Sequence, residues 1–134
     1  MIKETIICIA IVVTITTGNI LTQNHTKEVV RKMNGNLDEI RNQILEVSES
    51  VDEEKETKVK IKIDEIKNDW YKHKQRLAYY IEHDEIEKID KAIVILKINI
   101  DMSDYEQAME NLEDAKFILQ HIQYKYAFTL QNIF

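Results

Sequence analysis

From Thr5 to Leu21 the chain reads TIICIAIVVTITTGNIL, a run without a single charge and with its densest apolar stretch at Ile6 to Val13. Such a segment is too apolar for the surface of a water-soluble domain, so it limits what the rest of the chain can be. As an α-helix it extends about 25 Å against a hydrocarbon layer of about 30 Å, and Thr22 to Asn24 can complete a crossing among the headgroups. Residues 1–34 are therefore read as a membrane anchor with a juxtamembrane helix. Two rivals use the same residues: a cleaved secretory signal with Thr16-Thr17-Gly18 at the cut, and a buried helix of a soluble protein. Length and flanks favour the uncleaved signal anchor. Cys8 has no small residues before it, which argues against a lipoprotein.

Orientation draws on two opposed signals. Lys27, Arg31 and Lys32 outnumber Lys3 and the terminal amine, which by charge places the following domain in the cytoplasm. The short tail before the apolar run is instead the form of a signal anchor that exports the domain after it. The expectation is a single-pass cell-membrane protein with its bundle extracytoplasmic.

Residues 35–134 form the second unit. Proline is absent and glycine occurs only at Gly18 and Gly35, which removes most of the turn chemistry that sheets require. The fold class is all-α. Residues 1–34 carry four Lys/Arg and two Glu, and the remainder carries fourteen against twenty-two acidic residues, giving +2 and −8 and the overall −6. An acidic bundle of this kind excludes nucleic acid as a partner, since phosphate contacts need a basic surface.

Asn34-Gly35-Asn36 reads as a helix break, followed by a short helix over 37–48. Capping boxes are expected at Ser50 to Glu53, Asp84 to Glu87 and Ser103 to Glu106, with a looser one at Asn36 to Glu39. Between them, apolar residues recur at intervals of three and four: Val59, Ile63, Ile66, Trp70, Leu77 and Ile81; Ile86, Ile89, Ile93, Leu96 and Ile100; then Tyr105, Ala108, Leu112 and onward through Tyr126, Leu130 and Ile133. These spacings predict an N-terminal transmembrane helix and an antiparallel bundle of three long helices plus the short one. Trp70 is the expected core anchor, and only one of Tyr79 and Tyr80 can be buried.

The stretch YYIEHDEIEK, residues 79–88, concentrates four carboxylates and a histidine in six positions. No Glu-x-x-His pair, no zinc-protease spacing and no phosphate loop accompanies it, so no catalytic, cofactor or metal site is assigned. Asp84, Glu85 and Glu87 are expected in the first turn of a helix, where the unpaired amides favour negative charge. Glu82 and His83 are the members that capping does not require, and they form the candidate functional cluster.

Together, KETIICIAIVV, NILTQNHTKE, DWYK (Asp69 to Lys72), YYIEHDEIEKI and the terminal LQNIF resemble the bacterial proteins grouped as domain-of-unknown-function family 4363, found mainly in endospore-forming Gram-positive species. The resemblance implies a membrane-anchored helical protein, carries over no catalytic residue, and suggests a multi-span membrane protein as a neighbour. The expected function is non-enzymatic: a bundle that mediates protein–protein interaction at the surface of the lipid bilayer, with a polytopic membrane protein as partner and no small-molecule substrate. Thr14, Thr16, Thr17, Gly18 and Asn19 in the anchor and the apolar Asn132-Ile133-Phe134 terminus are candidate contacts. The alternative is a pH- or cation-responsive ligand-binding bundle acting through Glu82, His83, Asp84 and Glu85.

Overall fold

A computed structural model describes residues 1–50 and 52–127. Among them are four helices and no strands: α1 (Ile2–Glu49), α2 (Glu53–Leu77), α3 (His83–Asp101) and α4 (Tyr105–Ala127). Each packs on its neighbours in chain order and α4 closes against α1, while the diagonal pairs stay apart. The result is an up-down-up-down four-helix bundle whose short connections allow only antiparallel neighbours.

The chain does not break at Gly35. Helix α1 runs uninterrupted for 48 residues, about 72 Å at the helical rise. The helix of 37–48 read from the sequence is therefore the distal part of α1. Met33, Leu37, Ile40, Ile44 and Val47 are all buried, and their spacing of four, three, four and three holds one inward stripe across the glycine. Helical glycine is unfavourable by about 1 kcal/mol, whereas each buried aliphatic side chain contributes roughly 1.5–3 kcal/mol, so the stripe prevails. Gly35 has no positive φ. Asn34, Gly35 and Asn36 all lie outside the buried stripe.

Only the part of α1 from Thr26 to Val47 contributes buried residues, so the bundle uses its C-terminal half. The N-terminal part projects alone, with Ile6, Ile7, Ile9, Ile11, Val12, Val13 and Ile15 all exposed. It is the one helix among the described residues long and apolar enough to cross a membrane, and none of its most apolar stretch is buried. Thr14 and Thr16 donate their hydroxyls to the carbonyls of Ala10 and Val12, each at 2.8 Å. These threonines are satisfied within their own helix and need no partner in lipid. Leu130, Ile133 and the Asn132-Ile133-Phe134 terminus lie outside the described residues.

The inward faces of α2, α3 and α4 follow the expected stripes, from Val59 through Leu77, Ile86 through Ile100, and Ala108 through Ile122. Trp70 is the largest buried side chain, only 1% exposed. Its indole N–H donates to Asp90 Oδ1 at 2.5 Å, so the polar atom is not stranded in the core. Lys74 also binds Asp90. An ion pair marks every seam: Lys62–Glu39 between α1 and α2, Lys97–Asp64 between α2 and α3, Lys125–Glu85 between α3 and α4, and Lys116–Asp38 between α4 and α1. Exposed pairs contribute at most about 1 kcal/mol each, so they set register while the apolar core supplies the stability.

The expected capping boxes are displaced. Ser50 closes α1, and α2 is capped by Asp52, whose Oδ1 accepts the Glu54 N–H at 3.1 Å. Glu53 is the first residue of α2. Ser103 takes a left-handed φ of 56°, sending its own N–H to Ile100 and that of Asp104 to Asn99 to end α3. Asp104, not Ser103, then caps α4 by accepting the Gln107 N–H at 3.2 Å. Glu106 sits in that first turn, where its charge faces the positive helix end.

Because Gly35 is helical and an added Cβ meets nothing within 4 Å, Gly35→Ala is expected to stabilise the protein by about 0.5–1 kcal/mol. Denaturant unfolding of the variant checks this; a lower midpoint would mean that the backbone at residue 35 is not helical.

Candidate functional site

Helix direction decides where YYIEHDEIEK lies. Since α1 enters the bundle at Thr26 and leaves it at Val47, the end nearest the apolar segment holds the end of α2, the 78–82 turn, the start of α3 and the end of α4. This end is the foot of the bundle. YYIEHDEIEK is its main component.

The turn resolves the tyrosine pair. Tyr79 is 89% exposed, whereas Tyr80 packs against the core. Burial pushes the Tyr80 phenol above its ordinary range, against smaller opposing effects from Thr26 and Arg76. Ile81 lies beyond the end of α2 yet is buried, which pulls the turn onto the bundle.

Tyr126 ties the foot together. Its hydroxyl accepts the Glu82 backbone N–H at 2.7 Å, and its carbonyl accepts from the Gln23 side chain at 3.1 Å. One residue of α4 thus joins the α2–α3 turn to α1. A cleft of about 150 Å³ opens beside it, lined by Asn19, Thr22, Gln23, Thr26, Tyr80 and Tyr126.

Asp84 is not the cap of α3. The helix starts at His83 with Glu82 in the cap position, and no side chain caps the exposed amides. Asp84 and Glu85 lie in the first turn, while Glu87 pairs with His83 at 3.0 Å. The structure therefore separates the two candidate residues. His83 and Glu87 face solvent, and Glu82 reaches Lys125 of α4 at 2.9 Å. That contact, a hydrogen bond first and charge attraction second to it, holds the Lys125 ammonium above the usual lysine range, with desolvation opposing it and Glu85 adding to it.

The buried carboxylate is Glu85, 3% exposed. Its Oε1 lies 3.3 Å from Lys88, 3.4 Å from Lys125 and 3.9 Å from His121. Its Oε2 is buried with no hydrogen-bond partner among the described residues. Glu82, Asp84 and Glu85 bring one oxygen each within 4.8 Å of one another, a spacing a cation could bridge. Two ammonium groups already lie among these oxygens, however, Lys125 on Glu82 and Glu85, Lys88 on Asp84 and Glu85. A cation would have to displace them, next to a helix N-terminus whose dipole also opposes positive charge. The geometry is that of an ionic clasp between the start of α3 and the end of α4.

Glu85 is the residue that capping logic hides. It lies four residues before Ile89 and seven before Ala92, both buried, so the inward stripe of α3 begins with a carboxylate. Its partner Lys125 is forty positions away and becomes visible only once the bundle closes. A second foot feature also escapes sequence reasoning: the rings of His25 of α1 and His73 of α2 face each other at a tilt of 51°, with centroids 5.9 Å apart. Burial, then Arg76 and His73, hold His25 below its ordinary range despite the opposing charge of Glu28.

A family model described as a domain of unknown function (DUF4363) matches residues 28–133. The match covers the bundle and begins after the apolar segment, so KETIICIAIVV lies outside it. No curated protein and no solved structure matches the chain.

Tyr126→Phe removes the acceptor for the Glu82 N–H and is expected to destabilise the protein by about 1 kcal/mol. Thermal or denaturant unfolding beside wild type measures it; an unchanged midpoint would show that the phenol hydroxyl does not hold the turn.

Proposed function

The chain belongs to the DUF4363 family, and on that premise we propose that it is a single-pass membrane protein whose bundle binds another protein at the membrane surface, without catalysing a reaction. The observation that carries this reading is the uninterrupted α1, which joins an apolar segment with no buried residue to the bundle through one continuous helix. A hinge at Gly18 or Gly35 would leave the bundle free to roam above the bilayer; neither glycine has a positive φ. A rigid mount holds one face of the bundle at a fixed height and angle, which suits a partner that is itself fixed in the membrane.

The surface offers such a face on α4. Phe117 and Tyr124, seven residues apart and so on one side of the helix, are 71% and 66% exposed. Exposed aromatic pairs of this kind are characteristic of the centres of protein interfaces. A multi-span membrane protein is the partner that fits a helical mount and an outward aromatic face together.

Site-specific photocrosslinking in intact membranes tests the reading. Crosslinkers at Phe117 and Tyr124 are expected to capture the same multi-span protein, whereas one at the exposed Lys72 of α2 captures none. Recovery of the protein alone from all three positions would count against it.

The proposal puts the bundle on the extracytoplasmic side of the membrane. In a Cys8→Ser background, Ser50→Cys at the exposed distal end should react with an impermeant thiol reagent in whole cells. Labelling only after lysis would place the bundle in the cytoplasm.

A further inference from the structure

We propose that the foot of the bundle rests on the lipid headgroups, with Tyr79 and the cleft between α1 and Tyr126 as its contact surface. The proposal rests on the reading of α1 as a membrane-spanning helix and adds the height at which the bundle sits.

Helical rise sets that height. The apolar run ends at Leu21, and at 1.5 Å per residue Gln23 lies about 3 Å and Thr26 about 7.5 Å beyond it. The headgroup layer on one side of a bilayer is roughly 5–7.5 Å deep. Gln23 is bonded to Tyr126 and Thr26 lines the same cleft as Tyr80, so the end of α4 and the α2–α3 turn lie at headgroup depth. With α1 unbroken, the foot cannot lift away without loss of helix.

The residues at that depth suit it. Tyrosine concentrates at membrane interfaces because its ring is apolar and its hydroxyl polar. Here three tyrosines gather at one end of the molecule: Tyr80 and Tyr126 packed against the core, and Tyr79 almost wholly exposed beside Tyr80 on the turn after α2. In a water-soluble bundle an isolated aromatic of that exposure on a tight turn has no packing role. The cleft is lined by the polar, uncharged residues Asn19, Thr22 and Gln23, so it presents no net charge of its own. Charges nearby are mixed, with Arg76 and Lys125 against Glu82 and Asp84, so the surface matches a zwitterionic headgroup and not an anionic one.

This assigns the paired tyrosines of YYIEHDEIEK. Tyr80 fastens the turn to the bundle and Tyr79 fastens it to the membrane.

The test uses full-length protein in phosphatidylcholine vesicles, in a Cys8→Ser background, with an environment-sensitive fluorophore at Tyr79→Cys or, as a control, at Met102→Cys. Both positions are exposed, so neither substitution disturbs the core, and circular dichroism verifies the helix content. Met102 lies at the opposite end of α3, about 28 Å away along the helix. Flotation first establishes insertion. A nitroxide carried on the lipid headgroup is expected to quench the label at 79 several-fold more than the label at 102. Equal quenching in vesicles that float overturns the headgroup contact while leaving the anchor intact; protein that fails to float overturns both.

Discussion

The inward stripe of α1 is the interaction on which the rest of the structure depends. Met33, Leu37, Ile40, Ile44 and Val47 keep one register across a glycine that local preference would use as a stop. The consequence is geometric. A helix that continues from the apolar segment into the core of the bundle gives the bundle a fixed axis, and α2, α3 and α4 close around that axis through short connections. Had the helix ended at Asn34, the same three hairpin partners could still pack, but their position relative to the apolar segment would be undefined.

Fixing the axis also gives the polar residues at the foot a common purpose. Tyr126 accepts from Glu82 and Gln23, and Lys125 joins Glu82 and Glu85, so two consecutive residues of α4 clasp the start of α3 and the side of α1. An acidic cluster beside an exposed histidine resembles a site for chemistry when seen in one dimension. In three dimensions its carboxylates are shared between two lysines, and the histidine pairs outward with Glu87. The cluster joins the start of α3 to the end of α4 at the end of the bundle nearest the apolar segment.

The inward faces of α2 to α4 are legible because apolar spacing alone defines them, and Trp70 stands where that spacing places it. The expected break at Asn34-Gly35-Asn36 fails because turn chemistry is local, whereas the stripe that overrides it is sealed by α2 and α4. Caps are displaced by one or two positions because Asp52 and Asp104 stand beside Ser50 and Ser103, and the aspartates occupy the positions from which an oxygen can reach the first free amides. Glu85 escapes notice since its position in the first turn already accounts for its charge; only the arrival of Lys125 and His121 from α4 shows that it lies inside. Side-chain contacts made across long separations are the part of this molecule that its sequence conveys poorly.

One continuous helix carries the bundle on the apolar segment. Pulsed electron–electron spin resonance between nitroxides at Lys3 and Asn42, in the Cys8→Ser protein reconstituted in lipid, measures it directly. An unbroken helix predicts a narrow distance distribution centred at about 58 Å, at 1.5 Å per residue. A broad distribution displaced to shorter distances would show that the helix bends or breaks between the apolar segment and the bundle, and would contradict the account.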